Sequence, residues 1–144
     1  MTQNEKDLLL KDLCARVPYG VKVISKIPIN QNESKEIVGQ VTSVHYNVGI
    51  VQVGGFDVIV DYNPYFEIKP YLFPLSSMTE EQKQEYTYIV NYISSDDTEN
   101  WKEGEFIYVE QFTQLMHFYH INHLDYMGLI PMGLANDATG LNIY

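Results

Sequence analysis

The chain reads as a single α+β domain over 1–144, with a small antiparallel SH3-like β-barrel preceded by a short helix and followed by two amphipathic helices. Three observations predict this. The apolar spacing changes from helical to alternating near Val21, and returns to helical after Met78. Four β-rich runs lie close together with turn residues between them. The 144 residues are 45% apolar and 19% charged, which suits one globular domain rather than a disordered chain. The expected parts are an N-terminal helix over 1–19, the barrel with a proline-rich crossover over 20–77, and an acidic helical part over 78–144.

In the first part, Leu8, Leu9, Leu13 and Val17 recur at helical spacing, and Pro18 with Gly20 closes the helix. Cys14 is the single cysteine, so no internal disulfide forms, and it is expected to pack as a small apolar residue on this helix. Val21–Ile27 is the first strand, 28–35 a polar loop, and Ile37–Tyr46 a longer strand with Gly39 expected at a bulge or bend. A turn at Asn47-Val48-Gly49 leads to Ile50–Val53. Gly54-Gly55 then signals a two-residue hairpin into Phe56–Val60. A short meander of this kind closes into a barrel because closure removes unpaired edges.

The crossover, 61–77, holds Pro64, Pro70 and Pro74 among aromatic residues. A proline donates no ladder hydrogen bond, so a central strand is not expected there. Thr79 and Gln82 form a capping box at the start of a helix whose apolar stripe is Tyr86, Ile89, Val90 and Ile93. Phe106–Tyr108 reads as a short strand. A second helix follows from Val109, with Phe112, Leu115, Met116 and Tyr119 on one face. Asp125 is expected to cap a final helical turn, and 136–144 to fray.

The net charge of −10 is unevenly placed. Residues 1–77 carry seven Lys/Arg against eight Asp/Glu, whereas 78–144 carry two against eleven. A half so poor in cations repels phosphate backbones, so direct nucleic-acid binding is not expected; the charge reads first as a source of solubility, and otherwise as a surface that engages a basic partner or imitates nucleic acid. The opening MTQNEKDLLLKDL is charged from its first residues and has no apolar signal core, and no run approaches a membrane span. A cytoplasmic protein is the expectation.

Two sets of residues could carry chemistry. His117, His120, His123 and Asp125 are of metal-ligating type, but at three-residue spacing the outer histidines diverge by about 120° on a helix. They come together only if the helix ends between them; otherwise they edge the helix or cap its C-terminus as cations. The second set is aromatic: Tyr62, Tyr65, Tyr71, Phe73 and Trp101 could line a groove for a peptide or nucleotide, or else cover the barrel end as core. Ser76-Ser77 sits in no nucleophile-elbow pattern, and Gly54-Gly55 lacks the lysine and strand–helix context of a phosphate loop. No cofactor is implied.

Two blocks carry a resemblance. Lys69-Pro70-Tyr71-Leu72-Phe73-Pro74-Leu75-Ser76-Ser77-Met78-Thr79-Glu80-Glu81 resembles a KPYLRPMSSMTEEE-like segment. Asn122-His123-Leu124-Asp125-Tyr126-Met127-Gly128-Leu129-Ile130, with Gly133-Leu134-Ala135, resembles an NHxDYRGLIxxGLA-like ending. Both are similar to an uncharacterised family of small proteins from phages and prophages of gut bacteria. Phe73 and Met127 stand where that pattern has arginines, and Pro131 is a further departure. The resemblance implies a mobile-element origin and supplies no catalytic residues. The resulting expectation is a non-enzymatic accessory binding module acting on a host or phage protein. The alternatives are a small-molecule binder that sequesters a nucleotide signal, with a homo-oligomer interface as one place for its pocket, and a metal-dependent hydrolase built on the histidines.

Overall fold

A computed structural model of the protein describes the backbone of residues 1–30, 33–60, 67–94 and 101–144, and the side chains of all these except 92–94 and 101–109. The fold is α+β. Its helices are α1 (Gln3–Arg16), α2 (Glu80–Ser94) and α3 (Trp101–Ile121). Its strands are β1 (Lys22–Asn30), β2 (Glu33–His45), β3 (Ile50–Val53), β4 (Phe56–Ile59), β5 (Glu67–Leu72) and β6 (Asn136–Asp137).

Thr2 and Glu5 begin α1 with a reciprocal capping box. Its inward residues Leu9, Leu10 and Leu13 are almost fully buried against Val21, Val23, Val41, Val51, Val53, Val58 and Ile68 of the sheet region. Each such leucine contributes about 2 kcal/mol by leaving water. Cys14, expected inside, is exposed. It lies about 100° round the helix from Leu13, and the inward places beside it are taken by Asp12 and Arg16. Gly20, at φ 71, then turns the chain into β1, a left-handed conformation that costs glycine nothing in sterics.

The strands form one sheet in the order β4-β3-β2-β1-β5-β6, antiparallel except for the β5–β6 pair. Among the described strands this order is open, which corrects the expected closed barrel. The long β2 serves two neighbours: its first part pairs with β1, and Val41–His45 pairs with β3. The register shifts between Val41 and Ser43, so the irregularity lies past Gly39 rather than at it. Gly39 is needed for space instead, since a Cβ there would meet Val53 Cγ1 at 3.0 Å. Gly54 and Gly55 both have positive φ, as the expected two-residue hairpin requires.

Three segments depart from the expected barrel. Part of the expected crossover is β5, which pairs with β1 from Val23↔Pro70 to Lys26↔Glu67. Pro70 is tolerated because β6 joins only at Tyr71 and Leu72, leaving one described neighbour at the proline. The expected polar loop is the tip of the β1–β2 hairpin, with Pro28 paired to Ser34 and Asn30 to Glu33. Finally, the chain end expected to fray docks: β6 lies along β5, and the Ala138 amide donates to the Leu72 carbonyl at 2.8 Å. β6 covers that edge at Tyr71 and Leu72.

The capping box of α2 forms as expected, the Thr79 amide donating to Gln82 Oε1 at 2.9 Å and the Gln82 amide to Thr79 Oγ1 at 3.2 Å. Tyr86 and Ile89 pack against Phe118, Tyr119 and Leu124. Phe106–Tyr108 belongs to α3 rather than to a strand. Gly104 is the one strong helix breaker in that helix and costs only about 1 kcal/mol in its interior. Phe112, expected on the inward face, is 60% exposed, and the inward positions near it are Gln111, Leu115, Phe118 and Tyr119.

Candidate functional site

Where α3 ends against α1, the sequence builds a buried polar cluster. Arg16 is fully buried. Its Nε donates to Asp12 Oδ2 at 2.8 Å and its Nη2 to the Leu124 carbonyl at 2.8 Å. Its guanidinium also lies over the Tyr126 ring, 5.4 Å from the centroid. The four-residue spacing on α1 stacks acid and base on one helix face, and the added hydrogen bond helps offset the desolvation of both charges. Burial pushes the Asp12 carboxyl above its usual pKa, with Arg16 opposing the shift.

The metal-type residues are spent around this cluster. His117 is exposed, with Nδ1 3.0 Å from the Tyr19 hydroxyl. His120 is buried, its Nε2 lying 3.0 Å from the Tyr126 hydroxyl. His123 follows the helix at φ 51 and stacks on Tyr144, with centroids 3.7 Å apart and planes at 12°. The Tyr144 hydroxyl donates to the Tyr71 carbonyl at 2.7 Å and accepts the Lys22 amide at 3.1 Å. Asp125 accepts the Leu129 and Ile130 amides at 2.7 and 2.8 Å, so it does act as a cap, but of a turn. Among the described residues no three His, Cys, Asp or Glu gather to hold a metal. Burial, reinforced by Arg16, lowers His120 and His123 to about 4. Both are therefore neutral at pH 7, not the helix-end cations expected, because desolvation outweighs the helix dipole here.

The aromatic set does not assemble into one open surface among the described residues. Tyr71 is buried at 8% exposure, and Phe73 is half-buried against the Phe118 and Leu124 cluster. Its backbone bridges the tail, the Phe73 amide donating to the His123 carbonyl at 2.9 Å and the Asp125 amide returning to the Phe73 carbonyl at 2.8 Å. Tyr62, Tyr65 and the side chain of Trp101 lie outside the described residues. Phe73 and Met127 are both absorbed by packing, Phe73 in this cluster and Met127 against Leu72, Leu129 and Leu134.

What periodicity did not reveal is a groove of about 740 Å³ between α2 and α3. Its apolar walls include Ile89 and Met116, and Phe118 lines it from the core side. Tyr19 lies at one end, its ring 5.4 Å from that of His117 and 5.3 Å from that of His120. Tyr88, on α2, is 71% exposed. Glu85 on α2 and Glu110 on α3 line it as well, and both are exposed. The signal in the sequence was faint: Glu85 and Tyr88 lie three residues apart, as do Glu110 and Thr113, so each pair shares a helix face. The volume falls within the range of small-ligand and peptide sites.

No family profile, no curated protein and no solved structure matches the chain. Among the described residues, no helix is long and apolar enough to cross a membrane.

Proposed function

We propose that the protein is a non-enzymatic binding module whose contact surface for another protein is the α2–α3 groove. The observation that carries this is the groove itself, with apolar walls, a tyrosine at 71% exposure and two carboxylates open to solvent. An exposed aromatic beside a concave apolar surface is the usual anchor of a protein contact. On the resemblance of the blocks at 69–81 and 122–135, we further propose a phage or prophage protein working in the cytoplasm of a bacterial host, on a host or phage partner. A nucleotide signal is a poorer occupant, because among the described residues no lysine or arginine lines the groove, and Glu85 and Glu110 repel phosphate. The test is native mass spectrometry of the protein purified gently from its host, with Tyr88→Ala in parallel. Protein mass that accompanies the wild type and is lost from the variant supports the reading. Added nucleotide or metal mass instead of protein contradicts it.

A further inference from the structure

We propose that the groove recognises a cationic side chain, arginine above lysine, set in an apolar segment of the partner protein. This rests on the reading of the groove as a protein-binding surface. Charge complementarity selects the occupant. Glu85 enters from α2 and Glu110 from α3, so acid is offered from both helices, and no lysine or arginine lines the groove among the described residues. Lys83, the nearest cation in sequence on α2, pairs with Glu80 at 2.6 Å on the exposed surface and lines, with Tyr88, a neighbouring hollow rather than this groove. His120, at the end of the groove beside Tyr19, is buried and neutral, so it adds no opposing charge.

The aromatic rings favour the same ligand. Tyr19 and Tyr88 both line the groove, and a guanidinium or ammonium is attracted to an aromatic ring by its quadrupole. A guanidinium does both things at once: it stacks on an aromatic face and donates two parallel hydrogen bonds to a carboxylate, which an ammonium cannot match. Ile89 and Met116 then cover the aliphatic stem of such a side chain and an apolar neighbour in the partner. The surrounding charge acts in the same direction, since 78–144 carries two Lys/Arg against eleven Asp/Glu and steers a basic segment toward this half of the chain.

The experiment is selection of a random peptide library, displayed by mRNA linkage, on the full chain, with Tyr88→Ala as counter-selection. The expected result is enrichment of arginine beside an aliphatic or aromatic residue. Peptides so selected should bind about tenfold more weakly to the Glu85→Gln/Glu110→Gln double variant, and weaken further as salt is raised. Both glutamates are exposed, so the variant should melt within about 2 °C of the wild type, which keeps a binding loss interpretable. Selection of neutral or acidic peptides that still depend on Tyr88 overturns cation recognition and leaves the groove as a protein contact. Peptides indifferent to Tyr88→Ala, or no enrichment at all, overturn both.

Discussion

The cluster around Arg16 and the groove between α2 and α3 draw on the same residue types, tyrosine, histidine and carboxylate, and use them differently. In the cluster, Arg16, Asp12 and Tyr144 are hydrogen-bonded to one another or to backbone carbonyls and amides, and the buried His123 ring stacks on Tyr144. In the groove, Tyr88, Glu85 and Glu110 reach solvent. Residue type therefore does not separate the two regions. Solvent exposure does, with Arg16, Asp12 and His123 buried and Tyr88, Glu85 and Glu110 exposed. His120 stands where the two regions meet, bonded to Tyr126 on one side and lining the groove on the other.

The sharpest way to break this contrast is to unpair the buried charges. Arg16→Met leaves Asp12 buried without its partner and should cost about 3–5 kcal/mol in urea unfolding, whereas adding Asp12→Leu should recover most of that loss. If the single variant is nearly as stable as the wild type, the cluster is not the structural half of the comparison. Next comes Tyr144→Ala. It removes the stack on His123 and the hydrogen bonds to Tyr71 and Lys22, and a drop of about 2–3 kcal/mol is expected in the same assay.

Titration gives a smaller effect. His120 and His123 have folded pKa values lowered to about 4, so the unfolded chain takes up their protons first as the pH falls. Their contribution is intact above about pH 6.5 and is lost progressively toward pH 4. Thermal melts across that window check it, and His120→Gln should flatten the curve. At the other end of the scale, Tyr88→Ala should shift stability by no more than about 0.5 kcal/mol while weakening partner binding about tenfold. A large loss of stability there would make Tyr88 a packing residue and erase the difference between the two regions.

Local rules carried much of the fold. The Thr79–Gln82 capping box, the Gly54-Gly55 turn and the change of period at Val21 each follow from hydrogen bonding and sterics within a few residues, and each is found in the structure. Long-range pairing was not legible. Nothing local shows that Asn136–Asp137 will lie along β5, or that the Tyr144 hydroxyl will reach the Tyr71 carbonyl. Pro70 argued against a strand until the position of β6 showed that one side of β5 is free of a described neighbour there. The histidines had the right chemistry for a metal, yet their partners, Tyr19, Tyr126 and Tyr144, come from elsewhere in the chain. The groove was hidden for the same reason, since its two walls belong to separate helices.

Amide hydrogen exchange of the protein with and without its co-purified partner tests the central claim most directly. Protection should rise on binding over 85–90 and 110–120, while the amides around Arg16 and β5 stay as they were. Protection confined to the β1–β2 hairpin or the N-terminal helix, with α2 and α3 unchanged, would contradict it.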